Sequence, residues 1–199
     1  MIKIPAPKIV AVSEKEIENR IPPPFDRIAM HAWASPSSEK NFRKVKDAQG
    51  VYELYIYKVA EEKMMVQCLK QKHTEVMGFL VGDVYQFNGK IYCIAKDAVT
   101  TDLDSSIVHV KFSRSGFEKL FEKLDELPYD YILVGWYHSH PGHGCFLSTI
   151  DVTTQRKMFS KPYHSAIVID PVNKEIDCYQ VMEDNSFKSR PFAIYWDEN

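Results

Sequence analysis

The chain predicts an α/β fold, a mixed β-sheet flanked by helices, and three observations carry that reading. Short apolar, β-branched runs bounded by turn residues recur from Val51 onward, segments of helical period interrupt them, and Asn88-Gly89 joins two of the runs as a tight hairpin. In order, Tyr52, Leu54 and Ile56 alternate with Glu53 and Tyr55 as a strand. Ala60 to Lys70 then carries Met64, Met65, Cys68 and Leu69 at helical spacing. Strands follow near Val76–Val81, Tyr85–Phe87 and Lys90–Lys96. Ser113 to Leu127 reads as an amphipathic helix, with Phe117, Leu120, Phe121 and Leu124 on one face and Glu118, Lys119, Glu122 and Lys123 on the other. Tyr131–Tyr137 is a strand apolar enough to be buried on both faces, a helix starts at Ser148, and strands near Ser165–Asp170, Glu175–Met182 and Phe192–Trp196 close the pattern. Strands interleaved with helices in this order build layers around one sheet.

Residues 1–50 differ from this pattern. They contain Ile4-Pro5-Ala6-Pro7, a short helical patch around Ser13–Arg20, Pro22-Pro23-Pro24 and the turn-rich Ser35-Pro36-Ser37-Ser38. The expected division is therefore an irregular N-terminal extension over 1–50, packed on a domain over 51–199 through Phe25, Ile28, Met30 and Trp33.

With 199 residues, 45% hydrophobic and 26% charged, the chain can bury one substantial core. A net charge of −2 carries no nucleic-acid signature, and there is neither an apolar run of membrane-spanning length nor a signal-peptide pattern, so the expected setting is cytosolic. Cys68, Cys93, Cys145 and Cys178 are widely spaced and form no C-x-x-C pair. That excludes a disulfide scaffold and the cysteine-ligated zinc of nucleobase deaminases.

The chemistry concentrates where the Tyr131–Tyr137 strand ends, in His138-Ser139-His140-Pro141. Residues two apart in extended chain face the same way, roughly 6.5 Å between Cα atoms, so both imidazoles can converge on one ion. Ser148 suits the N-cap of the following helix, and Asp151 then falls in its first turn, where a carboxylate is favoured and can face back toward the histidines. Three protein ligands leave a fourth position open, the arrangement of a catalytic zinc with its bound water. Glu75, leading into the Val76–Val81 strand, suits the proton acceptor such a site needs. Each piece alone is ordinary: Ser148-x-x-Asp151 is also a plain helix start, and the conjunction carries the reading.

The segment Gly135–Gln155, with Glu75-Val76-Met77-Gly78 and Ser165-Ala166-Ile167-Val168-Ile169-Asp170-Pro171, resembles the JAMM (MPN+) metalloprotease family in its proteasome-lid deubiquitinase and signalosome deneddylase type. The similarity spans about Val51 to Gln180. It implies an MPN domain of the layered, cytidine-deaminase-like architecture. His138, His140 and Asp151 would ligate one Zn2+, Glu75 would move protons, and Ser148 would stabilise the oxyanion. Phe146 stands where the nearest relatives tend to have tryptophan, and His143 also departs from their pattern.

What the resemblance implies is a zinc-dependent isopeptidase acting on ubiquitin or a ubiquitin-like protein joined to a lysine. Processing of a ubiquitin-fold precursor or sulfur carrier is the alternative within the same chemistry. A non-catalytic MPN scaffold is the alternative of another class. In relatives, the stretch matching Thr100–Phe112 lines the groove for the ubiquitin tail, which makes Ile107, Val108 and Val110 candidate substrate contacts, together with Cys145 and Phe146 beside the site. The relatives imply a proteasome-like assembly as partner. No long helical tail follows Trp196, so action alone or in a simpler assembly is the competing expectation.

Overall fold

Asn88 and Gly89 both take positive φ, 51° and 75°, as a two-residue hairpin turn requires. In the computed structural model, which describes residues 17–100, 114–125 and 132–197, this turn joins the two longest strands, β4 (Met77–Phe87) and β5 (Lys90–Thr100). Before them come β1 (Glu18–Asn19), β2 (Ile28–Ala29), α1 (Pro36–Asp47), β3 (Leu54–Tyr57) and α2 (Lys58–Lys70). After them come α3 (Arg114–Asp125), β6 (Ile132–Ser139), α4 (Thr149–Met158), β7 (Ser165–Asp170), β8 (Glu175–Val181), β9 (Phe187–Ser189) and β10 (Phe192–Tyr195). Among the described residues, one mixed sheet runs in the order β2-β10-β3-β5-β4-β6-β7-β8-β9, and β1 pairs with β4.

Two apolar layers sandwich this sheet. On one face, Ala60, Met64 and Cys68 of α2 are fully buried against Leu54, Ile56, Leu80, Tyr137 and Ile167. On the other, Leu120 of α3 and Leu147 and Phe159 flanking α4 pack on Met77, Phe79, Trp136 and Val168. Truncating a fully buried methionine such as Met64 to alanine costs about 2–5 kcal/mol in such a core.

A register shift between Leu80 and Val81 leaves Val134 as the extra residue of β6, so Leu133 and Trp136 join the α4 side while Val134 and Tyr137 face α2. β6 and β7 are parallel and connected through α4, which sets the end of β6 beside the start of that helix.

Several elements differ from the sequence reading. β4 is one strand rather than two: Gly82 lies at a bulge between Val81 and Gly82, and its missing Cβ admits the backbone of Ile94. The expected irregular stretch before Gly50 contains a 12-residue helix, α1, because Ser35 is its N-cap and Pro36 its first residue. Glu18–Asn19, inside the expected helical patch, is a strand. The expected contacts Ile107, Val108 and Val110 lie outside the described residues. No helix among the described residues is long and apolar enough to cross a membrane.

Candidate metal centre

Backbone pairing carries β6 straight into its histidines. Ser139 N–H donates to the Val76 carbonyl and Val76 N–H to Ser139 Oγ, both at 2.9 Å, while His140 N–H donates to Ile169 O at 2.9 Å. Held extended between two neighbours, residues 138 and 140 turn their rings together, with Nε2 atoms 3.1 Å apart.

Asp151 arrives from α4 by way of a capping box. Ser148 N–H donates to Asp151 Oδ2 at 2.7 Å, and Asp151 N–H donates to Ser148 Oγ at 3.3 Å. The capping rotamer brings Oδ1 to 3.3 Å from His138 Nε2 and Oδ2 to 3.5 Å from His140 Nε2. His138 and Asp151 are 0% exposed and His140 4%.

This donor set fits a metal ion. His138, His140 and Asp151 each offer a ligand atom within 4.8 Å of the others. A tetrahedral ion with zinc-type bonds of about 2.0–2.1 Å needs donors about 3.3 Å apart; His138 Nε2 lies 3.1 Å from His140 Nε2 and 3.3 Å from Asp151 Oδ1, close to that edge, and the other carboxylate oxygen, Oδ2, lies 3.5 Å from His140 Nε2. Among the described residues, Asp151 Oδ1 and His140 Nδ1 are buried without a hydrogen-bond partner. A cation at the triangle would relieve the cost of an undonated carboxylate oxygen. Burial pushes the Asp151 carboxyl upward, yet the adjacent His138 and His140 imidazoles outweigh burial and hold it far below the ordinary carboxylate range.

The surroundings are tightly built. Gly142 and Gly144, both at positive φ, turn the chain after His140 and donate their N–H groups to Asp170 at 2.9 and 2.7 Å. Asp170 also receives the backbone N–H groups of Val172 and Asn173. Burial raises its pKa, but the Gly142, Asn173, Gly144 and Val172 donors bring it down to about 2. The Trp136 indole lies parallel to the His138 ring at 4.5 Å. Its Nε1–H donates to Gln155 Oε1 at 2.6 Å.

The structure therefore brings His138, His140, Asp151 and Ser148 into one constellation. Glu75, half-buried, adjoins Val76, the residue tied to Ser139 between the two histidines. Phe146 is exposed, with its ring 4.7 Å from that of His140. Cys145 points its thiol at Val168 O, 3.3 Å away, and burial pushes that thiol up to about 12. His143 is exposed at the rim. Sequence reasoning assigned nothing to Trp136, Gln155 or Asp170. Signals for the first two were present: Trp136 precedes His138 by two in a strand, and Gln155 follows Asp151 by four in a helix.

A mixed sheet with helices on both faces and a buried His-His-Asp triangle at a strand end defines an α/β domain with a candidate metal centre. The chain belongs to the JAB1/Mov34/MPN/PAD-1 ubiquitin protease family, which residues 49–161 match. It is 35% identical over 155 residues to COP9 signalosome complex subunit 5 of Debaryomyces hansenii, covering 75% of this chain and 30% of that protein. It is 33% identical over 124 residues to the ubiquitin carboxyl-terminal hydrolase RPN11 of Saccharomyces cerevisiae, covering 60% and 39%. The chain thus spans 30% and 39% of the length of these two curated relatives. The solution structure of protein DSY2949 from Desulfitobacterium hafniense overlaps 72% of this chain and 94% of its own at 19% identity, with a TM-score of 0.48.

Proposed function

We propose that the chain is a zinc-dependent isopeptidase that cleaves the bond between the C-terminal glycine of ubiquitin, or a ubiquitin-like protein, and a lysine side chain. The observation that carries this reading is the buried His138-His140-Asp151 cluster, its two Nε2 atoms 3.1 Å apart and the two carboxylate oxygens 3.3 and 3.5 Å from them, inside the stretch that matches the family. His138, His140 and Asp151 hold the ion. Zinc bound there supplies Lewis acidity and lowers the pKa of a water to about 7.

Glu75 accepts the proton of the attacking water and returns it to the lysine amine as that leaves. Two observations support this role: Glu75 is half-buried, and its neighbour Val76 is bonded to Ser139, between the two histidines. Ser148 Oγ already accepts the Asp151 N–H, so its own hydrogen is available for the developing oxyanion. Phe146 offers an apolar ring at the rim for the substrate tail, and Ile107, Val108 and Val110 are further contacts for that tail. Residues 51–199 form the catalytic domain, with residues 1–50 as its extension. The relatives' names suggest a signalosome-like or proteasome-like assembly as the setting.

The test is incubation with ubiquitin conjugates and with chains of defined linkage, comparing wild type, Glu75→Gln and chelator-treated protein alongside zinc analysis. Cleavage that needs both Glu75 and one zinc per chain supports the isopeptidase. Cleavage indifferent to both perturbations defeats the mechanism, and a folded protein that takes up no zinc points to a scaffold.

A further inference from the structure

We propose that Gln155 and Trp136 are positioning residues that hold His138 in its ligand orientation before any ion arrives. The proposal rests on the metal-centre reading above. Trp136 and His138 are alternate residues of β6 and share a face; their rings stack at 4.5 Å with planes 11° apart. Phe159, which caps the C-terminus of α4, stacks on Trp136 at 5.6 Å and 16°. The imidazole and the phenyl ring both lie near-parallel to the indole.

Stacking alone leaves an indole free to slide or rotate within its own plane. The hydrogen bond from Trp136 Nε1 to Gln155 Oε1 removes that freedom, at 2.6 Å and with Gln155 4% exposed. The amide can face only one way. Its Nε2 donates to Phe159 O at 3.0 Å and to His164 O at 3.5 Å, acceptors that cannot serve an oxygen, while the indole N–H can serve nothing else.

Gln155 also follows Asp151 by one helical turn, so one face of α4 carries a ligand and a lock. The helix is pinned to β6 at two rungs, Asp151 against His138 and Gln155 against Trp136. Cutting the second rung frees both the imidazole stack and the helix, and with them the 3.1–3.5 Å separations of the triangle. Neither residue touches a reacting atom. Their effect is on how well the site is formed, as for outer partners of metal ligands in general, whose loss weakens binding about 10–100-fold.

The experiment measures zinc affinity by chelator competition on metal-stripped protein, with the absorption spectrum of the cobalt-loaded form and circular dichroism of the metal-free form. The proteins are wild type, Gln155→Met, Trp136→Phe, the double variant and His138→Ala. The expected result is about tenfold or greater loss of zinc affinity in each single lock variant, an altered cobalt spectrum, unchanged dichroism, and a double variant little worse than either single. Wild-type affinity in a Gln155→Met protein that merely melts earlier would overturn the proposal, since a purely structural role predicts that. Should Gln155→Met fail to fold, Trp136→Phe keeps an aromatic ring beside His138 while removing the N–H together with part of the indole, and decides by the same criterion. Wild-type protein that binds no zinc would overturn the metal-centre reading itself and this proposal with it, whereas zinc lost only in His138→Ala would refute the lock alone.

Discussion

Two buried aspartates stand beside helix N-termini in this molecule, Asp151 at α4 and Asp177 at α1, and their surroundings are opposite in kind. Asp177 is wholly provided for: Ser35 Oγ donates to it at 2.7 Å, Ser189 Oγ at 2.8 Å and Cys178 N–H at 2.7 Å. These donors are neutral, so burial dominates and its pKa is raised. Asp151 instead faces two imidazoles, keeps Oδ1 without a hydrogen-bond donor, and is held strongly acidic. The same contrast separates the histidines. His164 is buried and satisfied, its Nε2 at 2.9 Å from Leu133 O and its Nδ1 accepting from Lys161 N–H, whereas His138 and His140 point their Nε2 atoms at each other. Burial with every bond made marks a structural polar group; burial with converging donor atoms, among them the unserved Asp151 Oδ1 and His140 Nδ1, marks a site.

The sharpest way to break this comparison is to remove each carboxylate. Asp151→Ala is expected to lose stoichiometric zinc and to lower isopeptidase turnover by a factor of about a thousand or more, read by metal analysis and conjugate cleavage. Asp177→Ala should keep zinc and turnover and lower unfolding free energy by about 1–3 kcal/mol through its stranded hydroxyls. Equal outcomes would erase the distinction.

The two helix caps come next. Ser148→Ala is expected to lower kcat about 10²–10³-fold if its hydroxyl serves the oxyanion. Ser35→Ala, at an equivalent cap of α1, should leave kcat alone.

The satisfied histidine gives a pH test. Burial lowers the His164 pKa to about 4, against about 6.5 unfolded. The unfolded chain then binds the proton first, so the stability this group contributes is complete above about pH 6.5 and is lost progressively as pH falls toward 4, by up to about 3 kcal/mol. Denaturant melts across that range should slope accordingly, and His164→Gln should flatten them. The smallest effect is the cap itself: Ser148→Ala should cost only about 1 kcal/mol of stability in the same melts, and Ser35→Ala more, because it also strips a donor from the buried Asp177.

Much of this was legible in the sequence because its signals are local. His138 and His140 share a face by strand alternation, Ser148 and Asp151 spell a helix start, and Asn88-Gly89 turns a hairpin. The misses have physical reasons too. Ser35-Pro36 is a turn pair and also the strongest of helix beginnings; the charge-rich run to Asp47 buries little beyond Ser38 and Phe42, so it shows a thin apolar stripe. The strands expected near Val76–Val81 and Tyr85–Phe87 are one, because only the facing strand reveals the bulge at Gly82 that joins them. The Trp136–Gln155 bond and the reach of Asp170 to Gly142 and Gly144 were not legible, because those partners lie 19 to 28 residues apart and only the fold brings them together.

The reciprocal bonds between Ser148 and Asp151 mean that the first turn of α4 and one corner of the donor triangle open as a single event. Fraying of the helix withdraws the carboxylate, and a cation that grips the carboxylate in turn staples the helix. Amide hydrogen exchange at Ser148, Asp151 and Val152 thereby becomes a gauge of occupancy, slowing when the ion is present, although none of those nitrogens would ever touch it.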